Sequence, residues 1–197
     1  TIDGGNITTT GGGNAAAGVI DINTTNGNST INSSLIAQGG TATNAVGQAG
    51  GAVTIDTGAS DTVTFGTGAD INTSGSAANG GDRDGGAGGA VTINTGDALI
   101  TLNDTTITTS GGALTGGGTA GAGGAVTFSD EVALATGGVT ITTGATAGNI
   151  LFSDTLNGTQ TLGLTAGTGN IDFNGIVGGT DALGKVTVSS AGTITTA

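Results

Sequence analysis

Gly123-Gly124-Ala125-Val126-Thr127-Phe128-Ser129-Asp130 and, further along, Asn149-Ile150-Leu151-Phe152-Ser153-Asp154 decide the fold. In each stretch apolar residues stand two apart, the period of a half-buried strand. The shared Phe-Ser-Asp ending puts both in one frame. Working outward, the pattern recurs at Val19-Ile20-Asp21-Ile22, Ala52-Val53-Thr54-Ile55, Ala90-Val91-Thr92-Ile93 and Asn170-Ile171-Asp172-Phe173, with Gly192-Thr193-Ile194-Thr195 closing the series. Counted at the last hydrophobe, the steps from Ile22 through Ile55, Ile93, Phe128 and Phe152 to Phe173 are 33, 38, 35, 24 and 21 residues.

Two further strands recur between these anchors. The second carries Val63/Phe65, Ile100/Leu102, Val132/Leu134, Leu156 and Ile176, with Thr1-Ile2-Asp3 opening the chain in the same place. The third carries Ile7, Ile36, Ile71, Ile107, Ile141, Leu162/Leu164 and Val186/Val188. A short strand cannot bury its alternate apolar residues alone, but it can when it stacks in parallel on its equivalent one repeat later. The expected fold is therefore all-β: a parallel β-helix (β-solenoid) with three short strands per coil and about seven coils. A β-sandwich would instead need hairpin turns and no fixed three-strand order.

The coil length changes at one place. After each third strand the first half carries a glycine-rich excursion: Gly11–Gly18, Gly39–Gly51, Gly75–Gly89 and Gly111–Gly124. After Ile141 these stop. Residues 1–146 thus read as coils with Gly-rich loops at one corner and 147–197 as continuous short coils of 21–24 residues, in one structural domain. Insertions confined to one corner are what a solenoid tolerates.

Composition agrees. Of 197 residues 44 are Gly and 40 Thr, with no Pro, Cys, Met, Trp, Tyr or His. Proline would remove a ladder donor from an internal strand. Without His or Cys there is no imidazole base and no thiolate or imidazole zinc site. The net charge is −12, and Arg83 and Lys185 are the only cations. Two isolated cations cannot displace the counterions of a nucleic acid or hold an anionic membrane, so neither partner is expected. No apolar run reaches the ~20 residues of a membrane span. No signal peptide or initiating Met is visible, so the chain reads as a mature or excised segment.

The order of third strand, excursion, Gly-Gly and first strand, as in Ile107-Thr108-Thr109-Ser110-Gly111 through Gly123-Gly124-Ala125-Val126-Thr127-Phe128, resembles the repeats of filamentous-haemagglutinin-like exoproteins. Those are bacterial surface proteins exported by two-partner secretion, related in style to autotransporter passengers. The segment Gly169-Asn170-Ile171-Asp172-Phe173-Asn174-Gly175 with Lys185-Val186-Thr187-Val188 resembles the same β-strand-repeat adhesins. The resemblance covers the repeat region only and implies a secreted or cell-surface scaffold. It carries over no catalytic residue and no cofactor.

Candidate sites are few. Phe128, Phe152 and Phe173 fall at one position of successive first strands and should stack inside the helix, with the fourth ring, Phe65, also inward. Asp82 and Asp84, in the longest excursion, are weak calcium candidates. Position twelve counted from Asp82 is Ile93, where an EF-hand needs a bidentate acid. Asp130, Glu131 and Asp154 are the acid/base candidates and are expected at a solvated corner. Thr8, Thr108 and Thr142 of the third strand and Thr54, Thr92 and Thr127 of the first should form outward ranks, interrupted by Asp21, Asn72, Leu151 and Asp172.

The expected role is an extracellular structural or adhesive solenoid, a segment of a surface fibre or adhesin stalk, and not an enzyme. Its expected partners are itself, through head-to-tail stacking or tandem continuation, and surface glycans or other cells. That self-association follows from strand order, because the chain stops in a first strand and opens in a second. The rival roles are an ice- or surface-binding β-helix using the Thr ranks, and a polysaccharide-active β-helix enzyme.

Overall fold

The computed structural model describes residues 1–197. After an opening strand β1 (Ile7–Thr8) the chain winds through five complete three-strand coils. They are β2 (Ile20–Thr24), β3 (Ser29–Ile31) and β4 (Leu35–Ile36); β5 (Val53–Thr57), β6 (Val63–Phe65) and β7 (Ile71–Asn72); β8 (Val91–Asn94), β9 (Ile100–Asn103) and β10 (Thr106–Thr108); β11 (Val126–Phe128), β12 (Val132–Thr136) and β13 (Val139–Thr142); and β14 (Ile150–Phe152), β15 (Leu156–Gly158) and β16 (Thr161–Thr165). β17 (Ile171–Phe173), β18 (Lys185–Ser190) and β19 (Ile194–Thr196) complete the molecule, which contains no helix.

Every strand pairs in parallel with its equivalent one coil away, giving three sheets of 7, 7 and 5 strands. This is a three-sided parallel β-helix of about seven coils. The first sheet keeps the register read from the sequence: Ile22 pairs with Ile55, then Ile93, Phe128, Phe152, Phe173 and finally Thr196. Val, Ile and Thr hold these strands because branched side chains fit a pleated surface. Inward residues of all three sheets merge into one core running from Ile20 to Phe173. Each fully buried aliphatic or aromatic side chain there contributes ~1.5–3 kcal/mol.

The corner between the second and third sheets shows why glycine is frequent. Gly68, Asp104 and Gly137 each adopt a positive φ (72°, 49° and 66°). A Cβ on Gly137 would lie 2.5 Å from that of Asp104. A left-handed turn stacked this tightly favours Gly, and Asp is among the few other residues that visit this conformation.

Three sequence expectations need correction. Ile36 is not the inward residue of its coil. Leu35 pairs with Ile7 and Ile71 and is fully buried, while Ile36 pairs with Thr8 and Asn72 in the outward rank. Two adjacent hydrophobes left the frame ambiguous, and packing chose the one in register. Ile176 is 67% exposed, and Val177 bridges Leu156 instead, so the second sheet ends as a single bridge. The backbone leaves the ladder directly afterwards, through Gly178 at φ 70°. Val186 and Val188 hold their register against Leu162 and Leu164, yet Val186 stays 43% exposed because no further coil of the third sheet lies beyond β18.

Candidate functional site

Below the excursions, a side-chain clamp closes the coil. The Oγ1 of Thr9, Thr73, Thr109 and Thr143 donates to the carbonyl of Gly18, Gly89, Gly124 and Gly148, at 2.6–2.7 Å. For the first three the glycine N–H returns a bond to the threonine carbonyl, at 2.7–2.9 Å. Exit and re-entry of the chain are thus tied together whatever lies between. In the second coil the residue is Ala37, and only the backbone bond from Gly51 remains. The Thr143 clamp closes a short link, the others long excursions, so the coil itself does not register the difference. Thr73, Thr109 and Thr143 are buried, and the period-two pattern does not mark them. The recurrent Thr-Thr after the third-strand hydrophobe, as in Thr108-Thr109 and Thr142-Thr143, was the available signal.

The excursions are a packed layer rather than free loops. Their outgoing legs bond in series, Gly11 N–H to Gln38, Gly39 to Ser74 and Gly75 to Ser110 (2.9–3.0 Å), and so do the return legs, Ala17 to Ala49, Gly50 to Ala87 and Gly88 to Ala122 (2.8–3.0 Å). Bonds also cross between the legs: Gly86 N–H to Ser76, Gly112 to Gly86 and Gly121 to Gly112. The legs touch backbone to backbone, and a Cβ on Gly112 would lie 1.8 Å from the Ser76 carbonyl oxygen. Only glycine permits this approach.

Asx side chains bridge the tips of successive excursions. The Asn14 carboxamide oxygen accepts from Thr43 N–H, Asn79 from Asn44 N–H and Asp82 from Gly117 N–H. Asp84 Oδ1 accepts both the N–H and the hydroxyl of Thr119, at 2.7 and 2.8 Å. These bonds hold the exposed Asp84 carboxyl below its ordinary pKa of 3.8, the backbone N–H contributing most. Asp82 and Asp84 therefore each serve the next excursion, and no group of three or more acids converges near them. Between them Arg83 exchanges backbone bonds with Thr115 and reaches back to the Asn44 carboxamide oxygen, 3.2 Å from Nη2. A recess of about 300 Å³ opens within the layer, lined by Thr41, Ala42, Ser76, Ala77, Ala78 and Asn79. It offers hydroxyl and amide groups but no acid or base.

The acidic corner divides. Asp130 is buried, contrary to the solvated placement expected for it. It occupies the position of Thr57 and Thr95 in earlier coils, and its oxygens accept Thr95 N–H (2.6 Å), Thr95 Oγ1 (3.0 Å) and Asp97 N–H (3.0 Å). It caps a turn. Glu131 and Asp154 are exposed, as read, and Glu131 lies 3.4 Å from the Asn157 amide. Asp154 accepts only from Thr155 N–H, so the three carboxyls share no bonded network.

Phe128, Phe152 and Phe173 stack inside the first sheet, with ring centroids 4.9 and 5.3 Å apart and planes within 10°. Outside, the Thr ranks align: Thr54, Thr92 and Thr127 are successive partners, as are Thr108 and Thr142, the latter continuing to Thr165. Thr8 is separated from this run by Ile36 and Asn72. A third run, Thr30, Thr64 and Thr101, lies on the second sheet between the hydrophobes that mark that strand in the sequence. No known protein family, curated protein or solved structure matches the chain.

Proposed function

We propose that the chain is a non-catalytic extracellular structural or adhesive β-solenoid, a segment of a bacterial surface fibre or adhesin stalk of the filamentous-haemagglutinin-like or autotransporter type. The observation that carries this is the pairing of an unbroken three-sided ladder with the glycine layer. Both are devices for length and stiffness, since the backbone bonds of each coil and excursion are tied to the next. Asp82, Asp84 and Asp130 are engaged in capping turns and tips, and Glu131 and Asp154 share no bonded network with Asp130, which supports a scaffold over a polysaccharide-active enzyme. Adhesion to glycans or other cells would fall to the excursion tips, where Val46 and Leu114 are about half exposed beside the Asx ladder. The test is to label the native protein on intact cells and image it. Surface fibres that scatter when the protein is deleted are expected, and label confined to the cell interior would refute the proposal.

The in-register threonines of the first sheet favour one second reading, an ice- or surface-ordering face. Leu151 and Asp172 break that rank after three members. Thermal hysteresis at millimolar protein would establish this reading, and its absence would retire it.

A further inference from the structure

One rung is missing from the glycine layer, and the recess opens where that rung belongs. The first rung of the outgoing legs is made at all three joints between excursions: Gly11 to Gln38, Gly39 to Ser74 and Gly75 to Ser110. Three residues further on, a second rung is made at the first and third joints. There Asn14 N–H donates to the Thr41 carbonyl (3.0 Å) and Ala78 N–H to the Ala113 carbonyl (2.8 Å). The equivalent pair at the middle joint is Ala42 and Ala77. Neither the Ala42 N–H nor the Ala77 carbonyl has a partner within the chain. Both residues line the recess, and Ala42 is only 5% exposed. A buried backbone donor left unpaired is rare, because nothing offsets its lost hydration.

The frame around this gap is fixed. Towards the coil, Gly39 is tied to Ser74. Towards the tip, the second excursion turns at Asn44, whose φ is 49°. The Asn44 N–H donates to Asn79 Oδ1 at 3.0 Å, and the Asn79 N–H donates to the Ala45 carbonyl at 3.0 Å. From the return leg, Gln48 accepts the Ser76 N–H (2.9 Å) and donates its own N–H to Ser76 Oγ (2.8 Å). Three side-chain groups of the lining keep unused bonding capacity: the Thr41 hydroxyl, Asn79 Nδ2 and the Ser76 hydroxyl proton. Alanines 42, 77 and 78 supply the apolar part, and none of the six lining residues is charged.

Resting on the adhesive reading above, we propose that this recess binds one neutral sugar ring of a glycan. The missing rung asks for a group that accepts from the Ala42 N–H and donates to the Ala77 carbonyl, and a hydroxyl does both through one oxygen. Water can do the same, and the experiment below separates the two. A sugar brings several hydroxyls on one ring. Its further hydroxyls meet Thr41, Ser76 and Asn79, and its C–H surface meets the alanine methyls. A volume of about 300 Å³ is at the low end for ligand pockets and suits a single ring. Charge excludes the acidic sugars: the chain carries −12, and Asp82 and Asp84 stand on the same excursion as Ser76 and Asn79. The fixed frame reduces the ordering that binding must impose.

The test is amide-detected nuclear magnetic resonance of the isotope-labelled chain. The probes are D-glucose, D-galactose, D-mannose and N-acetyl-D-glucosamine, with D-glucuronate as the charged control. At least one neutral sugar should shift the Ala42 backbone amide and the Asn79 side-chain amide saturably, with a Kd on the order of millimolar for a ligand this small. Glucuronate should bind severalfold more weakly. Thr41→Val removes a hydroxyl from the exposed lip of the recess, and Asn79→Asp removes Nδ2 while keeping the oxygen that holds Asn44. Each should weaken binding severalfold, and Thr64→Val, on the second sheet, should leave it unchanged. Far-ultraviolet circular dichroism checks that all three fold. An Ala42 amide that responds to none of the four neutral sugars means that water alone completes the rung, and overturns the site. Shifts confined to other parts of the chain, equal binding of glucuronate, or binding unmoved by both recess variants would overturn it too. Sugar binding at the recess of a protein whose native form lies inside the cell would retire the surface-adhesin proposal and leave the site standing. Surface fibres with an unresponsive recess would retire the site alone.

Discussion

Replacing Phe152 by alanine tests the core at its most constrained point. The ring is fully buried and stacks on both sides, on Phe128 at 4.9 Å and Phe173 at 5.3 Å. Truncating a buried phenylalanine to alanine costs about 3–5 kcal/mol. The upper half of that range is expected here, because each aromatic pair adds ~0.5–1.5 kcal/mol beyond area burial and two pairs are lost. Phe152→Leu keeps most of the volume and isolates the stacking, at about 1–3 kcal/mol. Phe65 is the internal control, equally buried but in neither ring pair, so Phe65→Leu should cost less than Phe152→Leu by about that amount. Urea denaturation followed by circular dichroism supplies the comparison, provided the slope m is unchanged. A reduced slope would reveal that coils unfold separately, as repeat arrays can. A cost below ~1 kcal/mol for Phe152→Ala, or equal costs for the two leucine variants, would refute the stacked core.

Thr109→Val removes the clamp hydroxyl at nearly constant shape and should cost about 0.5–1.5 kcal/mol, measured by urea midpoint. Ala37→Thr, which installs the hydroxyl where the second coil lacks it, should leave stability unchanged or raised, and a loss above ~1 kcal/mol would contradict the clamp. Asp130→Ala strands the Thr95 and Asp97 amides and should cost about 2–4 kcal/mol, whereas an exposed acid would cost almost nothing. For Asp84 the folded pKa lies below the unfolded one, so its tie to Thr119 is present above pH 3.8 and is lost as pH falls through the folded value. The protection factor of the Thr119 amide should fall over that acid range in the native protein and show no such step in Asp84→Asn. Trypsin acting on folded protein should cut at most once, after Arg83, and slowly, because both backbone groups of Arg83 are bonded to Thr115. Prompt cleavage after Lys185 would show that β18 is not docked on β16.

Alternation and repeat spacing alone determined the three-strand coil, the column from Ile22 to Phe173 and the corner at which the excursions leave. They could do so because a parallel ladder demands one residue type at one place in every coil, and the demand repeats along the chain. What no periodicity carries is decided between coils. Choosing Leu35 over Ile36 required the neighbours Ile7 and Ile71, since two adjacent hydrophobes satisfy the same pattern in either frame. Asp130 looked like any corner acid until the turn beneath it supplied three donors. The excursions read as loops because glycine is locally uninformative, and only their neighbours one coil away turn those glycines into a packed layer. Val186 fits the inward pattern, but burial needs a covering strand and none of the third sheet lies beyond β18, while Ile176 yields its place to Val177, which takes the position opposite Leu156.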